Sequence, residues 1–515
     1  MSARSNWAGR PPETRPFLIT CMVMLPTIMH SVDITIVAVA VPAIQGAMGA
    51  TEDEVAWVLS SYLIAVAVIT PATGWLSSAL GRRRLLLLSV AGFTFASLLC
   101  GIADSLNEIV VFRILQGGFG ATLIPLSQAI VLDTYPVRDH GRAMAFWGVG
   151  VMAGPIMGPV LGGLITDLYS WRWVFFINLP IGLAAMAGVL LIVPESETAR
   201  KRRLDWIGFA TLALGLAALQ MILDRGEKLE WFASTEIGIL ALVAGIALYL
   251  FLLRSLSSTD AFLDLRLFGN RNFAICLCLG FSAHACLYST IALLPPMLQN
   301  VLGYPAFTAG LLFIPRAVGT LVGMFVVSQI ARHIDMRISI AAGLLIAAFG
   351  IWQMAGFSTE VGSHEIIVTG LTQGFGLGLA FTPITVLAFS TLARESRTEA
   401  AGVYAILRSF GASIGISAFV TLYARNVQIN RSALVEQISP YNEAMTGSTL
   451  PQAWSLDQAA GLSSLSREID RQAAMIAYVD DFALIALCTA LLVPLVFLLR
   501  PPAKGPAPKR PDPPE

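Results

Sequence analysis

Leu115-Gln-Gly-Gly-Phe-Gly-Ala-Thr-Leu-Ile-Pro125 and Thr372-Gln-Gly-Phe-Gly-Leu-Gly-Leu-Ala-Phe-Thr-Pro383 are two apolar, glycine-rich stretches built on the same Gln-Gly pair. Gln116-Gly117 falls on Gln373-Gly374 at an offset of 257 residues (373 less 116). The same offset carries Gly154 and Gly158 onto Gly411 and Gly415. It also carries Ser78, in the loop GWLSSALGRRR, onto Asp335 in IARHIDMR. Separate stretches that agree on one offset indicate a parallel internal repeat. In an apolar chain such a repeat marks a transporter whose substrate path runs between two halves.

Composition agrees. Of 515 residues 56% are hydrophobic and only 13% charged, half the charge of an ordinary soluble domain. At roughly 20 apolar residues per membrane-spanning helix, about fourteen spans are available. Fourteen apolar segments are visible, the first from Phe17 to about Ile44 and the last at about 478–500. The first is too long for a signal-peptide core and is read as retained. Eight segments separate the fourth span from its mate, where a simple six-plus-six protein needs six. Two spans, at about 204–223 and 235–254, are therefore inserted between the halves. The expected fold is an all-α polytopic membrane protein of 14 transmembrane helices, two six-helix halves plus two inserted helices. The boundaries are a cytoplasmic tail 1–16, an N-terminal half 17–194, inserted helices and linker 195–270, a C-terminal half 271–500 with a periplasmic loop 426–477, and a Pro-rich disordered tail 501–515.

Lysine and arginine set the orientation. With the N-terminus in the cytoplasm, 23 of the 33 basic residues lie inside, 7 outside and 3 within spans. Both termini are then cytoplasmic. Zero net charge without a basic run leaves no footprint for nucleic acid. All six cysteines lie in apolar stretches, against a disulfide framework or a zinc site. None of the four lysines follows a glycine, so there is no P-loop. Gly411-Ala-Ser413-Ile-Gly415 matches a nucleophile elbow in letters, but lies in a helical span and repeats the Gly154/Gly158 pattern, so it is discarded. No metal, cofactor or enzyme chemistry is expected.

Asp33 lies inside the first span. A carboxylate at that depth costs about 2.5–3.5 kcal/mol on insertion scales and is functional by default, so Asp33 is the candidate proton carrier. The other reading is a packing carboxylate bonded to neighbours such as Thr35. His30, one turn earlier, could share its proton or be a satisfied buried imidazole. Arg113, Arg316 and Arg408 are the other charges well inside spans. Arg113 could pair with Asp33, or snorkel to the headgroups. Arg316 could bond carbonyls freed by Pro315. Gly148–Gly163 packs six glycines with Pro155 and Pro159 into one helix, suggesting a seal and pivot between the halves, or simply close packing. Gly74, Gly81 and Arg82 belong to a tight turn that could latch onto Asp133 or Asp139. Trp147, Gln128, Asn178, Tyr288, Gln373 and His30 are candidates for lining a central cavity.

The order VDITIVAVAVP, GWLSSALGRRR, FRILQGGFGATLIPLSQ, GPIMGPVLGG and WRWVFFINLPIG resembles the major facilitator superfamily, and within it the fourteen-span drug:proton antiporters of the EmrB/QacA type. The resemblance covers nearly the whole chain. It implies drug/proton exchange across a bacterial inner membrane, with Asp33 as the first-span acid and Gly154-Pro155 in the antiporter motif. It also implies a periplasmic membrane-fusion protein and an outer-membrane channel as partners. One departure is Ser78, where the cytoplasmic-loop motif usually has an aspartate; Asp335 fills the equivalent place in the second half, so a latch would rest on that half alone. A nutrient symporter or facilitator is the competing reading, and a membrane-embedded enzyme a remote one.

Overall fold

A computed structural model describes residues 14–136, 139–195, 205–226, 229–258, 262–263, 265–330, 334–392, 396–438, 454 and 459–500. Among them no strand occurs. Thirteen helices are long and apolar enough to cross a membrane, and His140–Leu168, 29 residues long, is a further helix of spanning length. In chain order they are α1 Pro16–Met48, α2 Glu54–Leu80, α3 Arg82–Ile102, α4 Leu106–Thr134, α5 His140–Leu168, α6 Trp173–Ile192, α7 Trp206–Arg225 and α8 Thr235–Ser257. The second group is α9 Arg271–Val301, α10 Thr308–Ile330, α11 Met336–Met354, α12 Ser363–Ser390, α13 Glu399–Glu436 and α14 Ala460–Val496. Each of the fourteen apolar segments corresponds to one of them.

Local chemistry sets the boundaries. Thr51 and Glu54 form a reciprocal capping box before α2. Asp205, Asn270 and Asp335 place side-chain oxygens on the first free amides of α7, α9 and α11. Pro71 tightens one turn of α2 into a 3-10 helix at Thr70–Ala72. Gly81 closes the α2–α3 turn at φ 80°, a conformation that glycine adopts without steric cost.

The repeat seen in the letters is a repeat of contacts. Gly117 lies against the Tyr62 carbonyl, joining α4 to α2, and Gly374 lies against the Arg316 carbonyl, joining α12 to α10. Gly154 presses on the Ser31 carbonyl, α5 on α1, and Gly411 on the Phe281 carbonyl, α13 on α9. The halves meet where α5 packs on α10 and α12 and where α2 and α4 pack on α13. The inserted α7 lies against α2 and α13, so it touches both halves, with α8 outside it.

One stretch differs in part from its reading. Within the loop 426–477 the sequence is helix-compatible from Leu456 to Tyr478, and α14 does start at Ala460, but α13 also continues to Glu436. At 38 and 37 residues these helices are about 55 Å long at 1.5 Å per residue, well beyond the ~30 Å hydrocarbon core. Apolar periodicity ends where hydrocarbon ends, whereas the helix does not. Residues 1–13 and 501–515 and most of 439–458 lie outside the described residues.

Candidate transport site

Asp33, halfway along α1, is fully buried and is reached by three side chains from two other helices. Arg113 of α4 donates from Nη1 to Oδ2 at 2.6 Å. Gln116, one turn further along α4, donates from Nε2 to Oδ1 at 2.9 Å, and Asn178 of α6 donates to the same oxygen at 2.8 Å. The guanidinium is itself fixed. Its Nε donates to the Val58 carbonyl at 3.0 Å, Nη1 also reaches Gln116 Oε1 at 2.6 Å, and its carbon sits 4.0 Å from the centre of the Tyr62 ring. Ser97 of α3 accepts from Gln116 and Asn178. Arg113 therefore does not snorkel, and Thr35 is not Asp33's partner; its hydroxyl donates to Gly154 O at 2.9 Å. His30 bonds Tyr62 at 2.7 Å and stands apart from the carboxylate network. A buried ion pair, neutralised and hydrogen-bonded from several helices, is an arrangement that one proton could switch.

The repeat gives this cluster a counterpart without charge. The offset places Thr290 opposite Asp33 (290 less 33 is 257), and Gln373, the mate of Gln116, donates to the Thr290 hydroxyl at 3.1 Å. The mate of Arg113 is Gly370. At the equivalent positions the C-terminal half thus carries neither the acid nor the arginine.

Between the halves lies a cavity of about 60 Å³, far below the 300–1,000 Å³ of drug-sized sites. Met144, Trp147, Gly148, Val151 and Met152 of α5 face His284, Leu287 and Tyr288 of α9, Met324 of α10, Phe381, Thr382 and Thr385 of α12, and Tyr404 and Arg408 of α13. The indole N–H of Trp147 is buried without a partner among the described residues. Of the candidates for its lining, Trp147 and Tyr288 are there and Arg408 joins them. His30, Asn178 and Gln373 belong to the hydrogen-bonded clusters instead, and Gln128 is buried outside the cavity with Nε2 unpartnered among the described residues. Aromatics and methionines are expected there, but the sequence does not single out His284, Phe381 or the three methionines, because nothing in it marks the face on which a residue falls. A larger open depression of about 810 Å³ lies around the α11–α12 turn, within residues 352–369. It touches one half only and has no polar cluster like that around Asp33.

At the Gly81 end the halves are tied by charge. Arg82 pairs with Asp133 of α4, and Asp133 stands 3.8 Å from Arg397, at the approach to α13. Gly74 faces Glu399 across the same junction, where an added Cβ would stand 3.0 Å from the Glu399 Cα. The tie therefore uses Asp133, correcting the expectation that it would rest on Asp335. Asp335 caps α11 and binds Arg337 at 2.6 Å, and that guanidinium holds its carboxyl below the usual carboxylate range.

Two further expectations change. Gly154 and Gly158 pack on Ser31 and Thr35 of α1, inside one half, and Gly148 is the glycine that meets the other half, at Met324. The side chains of Pro155 and Pro159 lie outside the described residues. Arg316 donates to the Leu287 carbonyl at 3.2 Å, in α9, and not to a carbonyl that Pro315 frees in its own helix.

The model of the Major Facilitator Superfamily matches residues 23–416. The chain is 34% identical to the multidrug export protein EmrB of Escherichia coli (strain K12) over 491 residues, 94% of this chain and 95% of that one. It is 34% identical to the probable multidrug resistance protein EmrY of the same strain, covering 95% and 96%. To the fatty acid resistance protein FarB of Neisseria gonorrhoeae it is also 34% identical, covering 94% and 96%. Among solved structures, the proton:xylose symporter XylE superposes with a TM-score of 0.59 at 14% identity, covering 93% of this chain and 95% of that one. The human organic anion transporter MFSD10 gives 0.56 at 14%, covering 93% and 100%. These two likenesses are of fold alone.

Proposed function

We propose that this chain, which belongs to the Major Facilitator Superfamily and is a membrane transporter, exports amphipathic drugs from the bacterial cytoplasm in exchange for protons. The observation that carries the reading is the buried Asp33–Arg113 pair held by Gln116 and Asn178. Relatives named for multidrug export support the direction and the substrate class. A proton on Asp33 cancels the charge that Arg113 faces and leaves the guanidinium without its anion. The α1–α4–α6 junction then favours a new arrangement, and with it the opposite opening between the halves. The charged tie at the Gly81 end and the contracted cavity fit a state closed on that side, which the Lys/Arg bias assigns to the cytoplasm of an inner-membrane protein. Methionines and aromatics around the cavity supply an adaptable apolar surface for varied ligands.

Everted membrane vesicles test the reading. A transported drug should evoke proton movement in wild type, and Asp33→Asn should remove that coupling. Full coupled transport by Asp33→Asn would sink the proton assignment, and drug movement with the proton rather than against it would favour a symporter.

The projecting ends of α13 and α14, tied by Arg431 and Asp470 at 2.6 Å, support docking of a periplasmic membrane-fusion protein leading to an outer-membrane channel. Ile429, Val435 and Leu462 are exposed on them. Replacing all three with serine should abolish co-purification with a co-expressed membrane-fusion protein while leaving vesicle transport unchanged. Undiminished co-purification would leave these ends as a lid over the external mouth.

A further inference from the structure

We propose that Asp481 is a second proton-binding site, carried by the last span and protonated in the conformation described; the inference rests on the reading of this chain as a proton exchanger. Asp481 follows Tyr478-Val-Asp480 in α14 and has 0% of its surface exposed. Neither carboxylate oxygen has a hydrogen-bond partner among the described residues. Asp33, equally buried, has a guanidinium and two amides.

Among the described residues the surroundings of Asp481 offer no countercharge. Tyr478, Phe482 and Ile485, its neighbours along the helix, join an apolar cluster to which α9 brings Cys286, Leu293 and Leu294 and α11 brings Ile351 and Met354. The titratable groups that act on Asp481 are Asp480, a like charge on the same helix, and the hydroxyls of Tyr478 and Tyr423 of α13. These two rings stack 4.2 Å apart and their hydroxyls bond each other. A bare carboxylate in such a place costs many times what a neutral carboxyl does, and a proton supplies the compensation that no side chain gives. Because α14 packs on α9, α11 and α13, a rearrangement that opens the α13–α14 seam admits water to the carboxyl and releases its proton. The two acids are therefore complementary. Asp33 is matched to a cation in the N-terminal half, and Asp481 to a proton in the C-terminal half.

Infrared spectroscopy on the full-length protein in liposomes tests this through the C=O stretch of a protonated carboxyl. At neutral pH wild type should show a band characteristic of an apolar site. Asp481→Asn should lose it, Asp33→Asn should keep it, and Asp481→Glu, which preserves the acid should the amide variant fail to fold, should shift it. A wild type without the band, a band unchanged in Asp481→Asn, or a band unshifted in Asp481→Glu would overturn the proposal. The readout does not depend on transport. Loss of drug-evoked proton movement in wild type vesicles would defeat the exchange reading while the band still decided Asp481.

Discussion

Arg113→Ala should destabilise the protein by about 3–5 kcal/mol, the cost of stranding one partner of a buried ion pair. The guanidinium is fully buried and makes bonds to Asp33, Gln116 and the Val58 carbonyl. Alanine removes all of them and leaves the carboxylate with two amides and no cation. Lysine at 113 should recover only part of the loss, because a single ammonium does not reproduce the planar fork that serves α2 and α1 together. The decisive variant is the double one. Asp33→Asn in the Arg113→Ala background removes the stranded charge and should restore thermal stability in detergent toward wild type. A double variant no more stable than Arg113→Ala alone would mean that the lost packing over Tyr62, rather than the charge, carries the energy. Wild-type stability in the single variant would show that water reaches the carboxylate once the arginine is gone.

The halves and the inserted pair were legible in the sequence because each rests on a long-range regularity. The 257-residue offset survives in Gln116 and Gln373, whose amides each turn to the residue at the position of Asp33 in their own half. Asp33 and Arg113 were legible as exceptions, since a charge in a span needs a reason. Their partners were less so. Asn178 reads as a cavity residue, and Ser97 as any small residue in an apolar helix. A neutral polar side chain is a tolerable resident of a bundle, and only three-dimensional packing shows which carboxylate it turns toward. Asp481 does not stand out in the sequence for a different reason. Preceded by Asp480 and close behind a polar stretch, it reads as the rim of a span, whereas the extension of α14 back to Ala460 buries it inside helix packing. The tie at the Gly81 end is half visible: the arginines of the turn point to Asp133 or Asp139, but nothing local in the letters brings Arg397 to Asp133 from the other half.

Gly154→Val should be strongly disruptive, and Gly163→Val, nine residues further along the same helix, close to silent. Both glycines lie in α5, in the segment whose density first suggested a pivot. A Cβ at 154 would overlap the Ser31 carbonyl, which is helix backbone and has no rotamer to yield, whereas at 163 nothing lies within 4 Å. Overpacking a tight site costs about 1–3 kcal/mol where side chains give way, and here two helices must separate. Separation also breaks the bond from the Thr35 hydroxyl to the Gly154 carbonyl at 2.9 Å and displaces α1 just where it carries Asp33. The variant should therefore lose both folded yield and proton coupling, while Gly163→Val retains both. Gly158→Val should fall between them, because what its Cβ meets first is the hydroxyl of Thr35 and not backbone. Thermal unfolding of the three proteins in one detergent gives the order directly. Equal stabilities would mean that α5 shifts freely over α1, as a sliding pivot would. The predicted order means that the glycines weld α1 and α5 into one body, so that the moving surface of the transporter lies where Gly148 meets Met324, on the other side of α5.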